Sequence, residues 1–213
     1  MKYEAIIFDL DGVVVSTDNC HYEAWKQLAD EEGIYFDRTI NERLRGVSRM
    51  ESLEIVLEKA EKSYSEDEKF AMAERKNGYY KELITKLDKS AILDGAEEFI
   101  NDAKSKGIKV AIGSSSKNTV AILTQIGLLD TFDKIADGND IKNSKPAPDV
   151  FLKAAEKLGI EPTKCVVVED ADAGVEAALA ANMDVIAVGY ASANPKCTYS
   201  AKGLFDIKVE DVM

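Results

Sequence analysis

Short apolar runs that alternate with helical patterns are the feature that most restricts how this chain can fold. The clearest runs cover residues 5–8 (Ala-Ile-Ile-Phe), 108–112, 165–168 and 185–188. Uninterrupted runs of this length are typical of strands buried on both faces of a parallel sheet. A helical pattern precedes each of the last three, as βαβ units require. The sequence therefore predicts an α/β fold with a Rossmann-like open parallel sheet.

The remaining elements of this sheet give weaker signals. Residues 134–136 are a candidate strand, and residues 205–209 are a last, weak one. Three helices are predicted between the strands: one from Gly95 to Gly107, one starting near Asn118, and one after Pro148 that ends at Gly159. Glycine suits the left-handed conformation that commonly ends a helix. Residues 190–204 have an irregular pattern and no assigned role.

Residues 16–88 have a different pattern, with several helical periodicities and no run long enough to enter the sheet. Two helix starts match the capping-box pattern, Ser48 with Glu51 and Ser65 with Glu68. We therefore predict that residues 1–15 and 89–213 form the α/β core. Residues 16–88 are predicted to form an inserted, all-helical cap.

Composition excludes several classes of protein. The formal net charge of −12 argues against a nucleic-acid partner, since binding to phosphate backbones requires a basic surface. Three cysteines without metal-ligand spacing argue against a zinc site or a disulfide framework. The apolar segment near the start of the chain, which ends at Asp9, is too short and too acidic for a signal peptide. No run reaches the roughly 18 apolar residues of a membrane span. We expect a cytoplasmic monomer with no membrane partner.

Two carboxylates, Asp9 and Asp11, directly follow the first predicted strand. The carboxyl ends of strands are where open α/β sheets bind ligands, and residues two apart on extended chain share a face. Gly12 then permits a sharp turn or a close ligand approach. One such carboxylate can attack phosphorus while the second protonates the leaving oxygen, provided a cation screens the charges. An isolated pair of this kind is more often a helix cap or a solvated turn.

Further polar residues follow other predicted strands. Ser114, Ser115 and Ser116 offer hydroxyls and backbone N–H groups to a phosphate, although a serine run is more often a helix start. Lys145 is flanked by prolines that stiffen the backbone, although a lone lysine is usually a surface residue. The oxygens of Glu169 and Asp170 suit Mg²⁺, although such a pair also caps helices.

The order of these groups along the chain resembles the haloacid dehalogenase superfamily, and the resemblance covers essentially the whole sequence. It implies that Asp9 is the nucleophile and Asp11 the general acid/base. It implies Mg²⁺ as cofactor, with a site assigned to Asp9, Asp11, Glu169 and Asp170, where Glu169 is a ligand or holds a metal-bound water. The phosphate-binding residues would be Ser114, Ser115, Lys145 and Asn118.

The predicted cap is similar to that of the β-phosphoglucomutase-like subfamily. The similarity rests on Thr17, His21 and Trp25, on Gly46-Val47-Ser48-Arg49 with Ser52, on Arg75-Lys76-Asn77, and on Ser116-Lys117-Asn118 in the core. It implies that Thr17, His21, Trp25, Gly46, Val47, Ser48, Arg49, Ser52, Lys76 and Ser116 bind substrate. Arg49 could grip a phosphate with two hydrogen bonds, which a lysine could not. From the residues alone, Arg49 is more simply a solvated helix start, His21 structural and Trp25 core packing.

The resemblance implies an isomerase that interconverts β-glucose 1-phosphate and glucose 6-phosphate through a phospho-aspartate and a bisphosphate. The alternative is an Mg²⁺-dependent sugar-phosphate phosphatase, which would share every core residue. The two differ in whether the cap holds a second phosphate, and Arg49 and Lys76 favour the mutase. A phospho-accepting signalling domain is a third class, in which a cap insertion would serve no purpose. The exact sugar and its anomer stay open.

Overall fold

A computed structural model describes residues 2–44 and 47–213, and its centre is one six-stranded sheet. The order across the sheet is β3-β2-β1-β4-β5-β6, and every pairing is parallel. The strands are β1 (Ala5–Phe8), β2 (Lys109–Gly113), β3 (Lys134–Ala136), β4 (Cys165–Glu169), β5 (Asp184–Ala187) and β6 (Tyr199–Ser200). The predicted open parallel α/β sheet is confirmed.

Strand β1 lies in the middle of the sheet and is fully buried. Its side chains alternate between two apolar cores, with Ile6 and Phe8 on one face and Ala5 and Ile7 on the other. This two-sided burial explains why its sequence is an unbroken apolar run. Phe8 pairs with Ile112 of β2 and Val168 of β4, so the three strands end at the same level. The residues that follow them are thereby brought to one edge of the sheet.

Helices cover both faces of the sheet. They are α5 (Ala96–Ser105), α6 (Thr119–Gln125), α7 (Asp149–Leu158) and α8 (Asp172–Ala180), followed by a short α9 (Val209–Val212). Helices α5 and α6 pack on the face of Phe8, and α7 and α8 pack on the face of Ile7. Gly159 ends α7 with a φ of 70°, the left-handed conformation expected from the sequence.

The end of the chain differs from prediction. Residues 205–209 are not a strand, because Leu204–Asp206 form a 3₁₀ turn that buries Leu204 and leaves Phe205 62% exposed. The Lys208 N–H then donates to the Asp211 carboxylate at 3.0 Å and starts α9. The last strand is instead β6, two residues long, within the segment that has an irregular sequence pattern. A strand this short carries no periodicity that could reveal it.

Among the described residues, four α-helices lie between β1 and α5: α1 (Asp18–Glu32), α2 (Arg38–Glu42), α3 (Arg49–Leu57) and α4 (Glu66–Ile84). We call these four helices the cap. They enclose an apolar cluster of their own, built around Trp25, Leu28, Leu53 and Met72. Both predicted capping boxes are present, at the starts of α3 and α4. In the described part of the chain, none of the helices is both long and apolar enough to cross a membrane.

The chain leaves for the cap and returns from it through two paired segments. Val15 forms an antiparallel bridge with Ile92, the Ser16 N–H donates to the Ala91 carbonyl, and the Leu93 N–H donates to the Val14 carbonyl, both at 3.0 Å. We call this pair of segments the hinge ribbon. It joins the cap to the sheet close to the carboxyl end of β1.

Candidate active site

A cavity of about 850 Å³ lies between the cap and the carboxyl ends of the central strands. The sheet side contributes Asp9 and Asp11 after β1, the segment 114–118 after β2, Lys145, and Glu169 and Asp170 at β4. The cap contributes residues of α1, α3 and α4, among them His21, Arg49 and Lys76. Residues that the sequence places far apart are therefore brought to the walls of one cavity.

Lys145 joins two carboxylates at the base of this cavity. Its Nζ donates to Asp9 Oδ1 at 2.5 Å and to Glu169 Oε1 at 2.8 Å, and all three side chains are buried. Burial alone would lower the pKa of the ammonium, but the two carboxylates outweigh it and hold that pKa above its ordinary value. Lys145 therefore stays charged and fixes Asp9 in place.

Three acids at the base of the cavity could hold a cation. One oxygen from each of Asp9, Glu169 and Asp170 lies within 4.8 Å of the others. Burial, together with the charges of Glu169 and Asp9, raises the pKa of Asp170 to about 9. Asp170 would therefore ionise at neutral pH if a cation were bound beside it, and oxygen donors of this kind suit a hard divalent ion. The donor set fits a divalent metal.

Two glycines make room for these carboxylates. A Cβ built on Gly12, whose φ is +84°, would lie 2.1 Å from Asp170 Oδ2. A Cβ on Gly174, in the first turn of α8, would lie 1.6 Å from Glu169 Oε1. Neither carboxylate could keep its position beside a larger residue. Gly12 thus allows the close approach of the Asp170 side chain, whereas the close approach of a ligand stays a prediction.

Asp11 lies beside the set of Asp9, Glu169 and Asp170, which we call the acidic group, and is not a member of it. Its two oxygens accept hydrogen bonds from Thr17, from the backbone N–H at 2.7 Å and from Oγ1 at 2.6 Å. Both carboxylate oxygens are thus bound by Thr17, and the role of Asp11 as a metal ligand that the resemblance implies stays a prediction. Burial in the cavity raises the pKa of Asp11 to about 6, although the Thr17 bonds act in the opposite direction. A carboxyl group with this pKa can both give and take a proton near neutral pH.

The segment after β2 presents serine and asparagine groups to the cavity. The Ser116 N–H donates to Ser114 Oγ and the Asn118 N–H donates to Ser116 Oγ, each at 3.2 Å. Ser115 Oγ is buried without a hydrogen-bond partner among the described residues. A buried hydroxyl with no partner is costly unless a ligand completes its bonding. The segment therefore has the composition and the unused capacity of a phosphate-binding loop.

Lys76 and His21 form the polar centre of the cap wall. Lys76 Nζ lies 2.9 Å from His21 Nδ1 and 4.8 Å from the ring centres of Trp25 and Tyr80. Burial, with a smaller effect of the Arg49 charge, lowers the pKa of Lys76 to about 7. Burial and the Lys76 charge lower the pKa of His21 well below its ordinary value, so this imidazole is neutral. Its Nε2 lies 3.9 Å from Asp11 Oδ2.

Trp25 lines the cavity but is only 2% exposed. It belongs to the apolar cluster of the cap, which leaves almost no ring surface for a sugar. The structure therefore favours core packing for Trp25, the simpler of the two sequence interpretations. His21 stacks on Tyr80 with ring centres 4.2 Å apart.

Helix α3 begins at the cavity wall with Arg49 as its first residue. Its N-cap, Ser48, and the neighbouring Val47 and Ser52 also line the cavity, while Gly46 lies outside the described residues. Arg49 Nη1 donates to Glu74 Oε1 of α4 at 2.5 Å. The predicted substrate-binding arginine thus has a carboxylate partner, which the sequence did not indicate.

Sequence reasoning missed Tyr80 as a cavity residue, and it named Asn77 only as part of the Arg75-Lys76-Asn77 motif. Tyr80 donates to Thr17 Oγ1 at 3.1 Å, which links α4 to Asp11 through Thr17. The Asn77 side-chain carbonyl accepts a bond from Asn118 Nδ2 at 3.2 Å, a direct contact between cap and core. Ala73, Asn77 and Tyr80 share one face of α4 at helical spacing. The sequence signal that could have identified Tyr80 is its helical spacing from Lys76 and Asn77, which the cap resemblance had already named.

Comparisons with known proteins agree with this geometry. Residues 3–182 match the haloacid dehalogenase-like hydrolase family. A β-phosphoglucomutase of Bacillus subtilis is 42% identical over 87% of this chain and 83% of its own length. A phosphorylated carbohydrates phosphatase of Thermotoga maritima is 32% identical over 99% of this chain and 96% of its own. A β-phosphoglucomutase crystal structure from Clostridium difficile superposes with a TM-score of 0.90 at 43% identity, covering 99% of this chain and 95% of that one.

The family match spans more than half of the chain, and the relatives agree with it in sequence and in fold. The resemblance stated from the order of the aspartates, serine, lysine and acidic pair is confirmed. The chain belongs to the haloacid dehalogenase-like hydrolase family.

Proposed function

We propose that this protein is a β-phosphoglucomutase that interconverts β-glucose 1-phosphate and glucose 6-phosphate. The supporting observation is that one cavity has a phosphoryl-transfer group at one wall and separate cationic groups at the other. Asp9, Lys145 and the acidic group form the first wall, and Arg49 and Lys76 belong to the second. A mutase has to hold two phosphates of one sugar at once, and this arrangement provides for both.

In the proposed reaction, the bisphosphate primer first leaves a phosphoryl group on Asp9. Asp11 then takes the proton from the free hydroxyl of the bound sugar monophosphate, whose oxygen attacks the phospho-aspartate, so that the Asp9–phosphorus bond breaks and a sugar bisphosphate forms. After the bisphosphate has bound again end for end, a carboxylate oxygen of Asp9 attacks the other phosphorus, the bond to the sugar oxygen breaks, and Asp11 gives its proton to that leaving oxygen. The pKa of about 6 at Asp11 suits both steps.

Residues around the two aspartates would place the reacting groups. Thr17 donates a hydrogen bond to each of the two carboxylate oxygens of Asp11, and Lys145 donates one to Asp9. Ser114, Ser115 and Asn118 bind the phosphoryl group in transfer. Asp9, Glu169 and Asp170 would hold Mg²⁺, which screens the repulsion between attacking carboxylate and phosphate.

Residues 16–88 act in this proposal as the cap that recognises the sugar and its non-reacting phosphate. Substrate contacts are assigned to Thr17, His21, Val47, Ser48, Arg49, Ser52, Lys76 and Ser116, which line or adjoin the cavity. The active unit is proposed to be a monomer. The three cysteines are free, which supports a reducing compartment such as the cytoplasm.

A sugar-phosphate phosphatase is the second candidate. The Thermotoga maritima relative, named a phosphorylated carbohydrates phosphatase, aligns over almost the whole of this chain. The same core residues would transfer the phosphoryl group from Asp9 to water. What favours the mutase is the cationic wall of the cap, because hydrolysis needs no second phosphate site.

The deciding experiment supplies β-glucose 1-phosphate and Mg²⁺, primes the reaction with β-glucose 1,6-bisphosphate, and follows glucose 6-phosphate and free phosphate separately. We expect glucose 6-phosphate to form with little release of phosphate. Stoichiometric release of phosphate would favour the phosphatase. The α-anomer of glucose 1-phosphate serves as the control for anomer selectivity.

The metal is tested in the same assay. We expect excess chelator to stop the reaction, Mg²⁺ to restore it and Ca²⁺ to restore it poorly, because the longer bonds of Ca²⁺ would misplace the attacking carboxylate. Full activity in excess chelator would contradict the assignment of Asp9, Glu169 and Asp170 as metal ligands.

A further inference from the structure

Glu74 is an acidic residue on a wall that, under the proposed function, has to admit phosphate dianions. Helix α4 turns Phe70, Ala73, Glu74 and Asn77 toward the cavity, at the i, i+3, i+4, i+7 spacing of a single helix face. The net charge of −12 already opposes the approach of an anion. An additional carboxylate at this position would weaken substrate binding unless it had a partner.

That partner is Arg49, the residue assigned to the non-reacting phosphate. The Nη1–Oε1 distance is 2.5 Å, and the bond joins the first turn of α3 to α4. Glu74 occupies one of the five guanidinium N–H donors and neutralises the positive charge of Arg49. Glu74 and a phosphate therefore compete for the charge of Arg49.

The ion pair is placed so that it can open. The Glu74 side chain is 52% exposed and that of Arg49 is 27% exposed, so the carboxylate can turn to water without leaving a buried charge. Partly exposed pairs of this kind are weak. A sugar phosphate with a second pKa near 6 is a dianion at neutral pH and can displace a single carboxylate.

We propose that Glu74 is a specificity-determining residue that occupies Arg49 as a competing anion until a phosphate dianion replaces it. This inference rests on the proposed function, because the bisphosphate of a mutase must leave the grip of Arg49 and bind again end for end. Recapture of Arg49 by Glu74 shortens the time the bisphosphate stays bound. The pair also disfavours singly charged ligands, which gain less at Arg49 than they displace.

The test is the binding of glucose 6-phosphate by titration calorimetry to the wild type, Glu74→Gln, Arg49→Ala and the double variant. Freed from its competitor, Arg49 should bind the ligand about 3- to 10-fold more tightly in Glu74→Gln, the scale of one weak ion pair. In the Arg49→Ala background the same change should alter affinity less than about twofold, since residual repulsion alone remains. Stopped-flow measurement should show slower dissociation in Glu74→Gln.

Glu54→Gln is the matched control. Glu54 pairs with Lys69 at 2.8 Å and joins the same two helices, but both residues lie outside the set that lines the cavity. Its affinity for glucose 6-phosphate should equal that of the wild type. Thermal unfolding of each variant checks that the cap is folded.

Three outcomes would overturn the proposal. Weaker binding in Glu74→Gln would mean that Glu74 orients Arg49 for the phosphate. Equal tightening with and without Arg49 would mean simple repulsion by a like charge, and unchanged affinity would mean no role in binding. Failure of the mutase proposal is detected separately, by phosphate release in the product assay, because a phosphatase would also bind glucose 6-phosphate.

Discussion

The ion pairs that the core and the cap place at the cavity differ in how far they are buried. In the core, Lys145 and the carboxylates of Asp9 and Glu169 are almost completely buried, with side chains 6%, 11% and 2% exposed. In the cap, the Arg49–Glu74 pair is partly open to water. Breaking a buried pair leaves an uncompensated charge, whereas an exposed pair opens at little cost. The core is therefore preorganised for chemistry, and the cap is arranged to exchange partners.

The largest expected effect comes from breaking the core with Asp9→Asn. The amide is a poor nucleophile, a poor ligand for a hard cation and a poor partner for Lys145. We expect turnover to fall by at least about 10⁴-fold. Steady-state kinetics with and without the bisphosphate primer measure the loss, and more than a few per cent of residual activity would remove Asp9 from the role of nucleophile.

Asp11→Asn tests the neighbouring carboxylate, which lies outside the acidic group of Asp9, Glu169 and Asp170. Losing a general acid/base should slow phosphoryl transfer by roughly 10²- to 10⁴-fold. Metal affinity should change little, because the Asp11 oxygens are bound to Thr17. Rapid-quench kinetics and metal titration separate the two effects. If only metal affinity falls, Asp11 is a ligand and the assignment of roles is wrong.

Arg49→Ala breaks the cap side of the comparison. The mutase reaction should fall by about 10²- to 10³-fold, because a charged contact to the non-reacting phosphate is lost in a closed site. Hydrolysis of acetyl phosphate, which has no second phosphate, should be spared. An equal fall in both would assign Arg49 to the fold or to closure of the cap. No fall in either would leave the phosphatase ahead.

The pH dependence of sugar-phosphate binding gives the smallest effect and sharpens the comparison. Burial lowers the pKa of Lys76 to about 7, so this ammonium is charged below pH 7 and neutral above it. The sugar phosphate is already a dianion above pH 7, so its charge is constant from pH 7 to 9. With saturating Mg²⁺ to keep Asp170 ionised throughout, affinity for glucose 6-phosphate should therefore weaken over that range, by up to about tenfold per pH unit.

Lys76→Met should remove this dependence, which calorimetry at several pH values can measure. Lys81→Met, which removes an exposed lysine from the same helix, is the control and should keep the wild-type profile. The same weakening in wild type and Lys76→Met would show that another group titrates.

The site residues of the core could be predicted from the sequence because they follow strand ends. Asp9, Ser114 and Asp170 come directly after β1, β2 and β4, and parallel strands bring such positions to one edge of the sheet. The ion pairs of Lys145 could not be predicted, since they depend on how the loop before α7 folds over that edge. In the cap, Glu74 and Tyr80 were missed because their contacts depend on how α3 and α1 pack against α4.

The strand assignments show the same limit. Buried runs such as 165–168 identified their strands almost to the residue, because burial on both faces permits only apolar side chains there. The interpretation of residues 205–209 as a strand failed because Leu204–Asp206 form a turn that exposes Phe205, while the buried Val209 begins α9. Tertiary contacts, and not the local sequence pattern, decide whether such short segments form strands or turns.

The hinge ribbon has a consequence for how the two parts of the molecule can vary. Because Val14 to Ser16 pair directly with Ala91 to Leu93, the ends of the inserted segment already meet without the cap. For the core, the cap is therefore a long loop that is closed at its base, and the entropic cost of such a loop grows only slowly with its length. Replacing the cap with another of different size would leave the strand register and the Asp9 site in place, so substrate choice can change while the chemistry is kept.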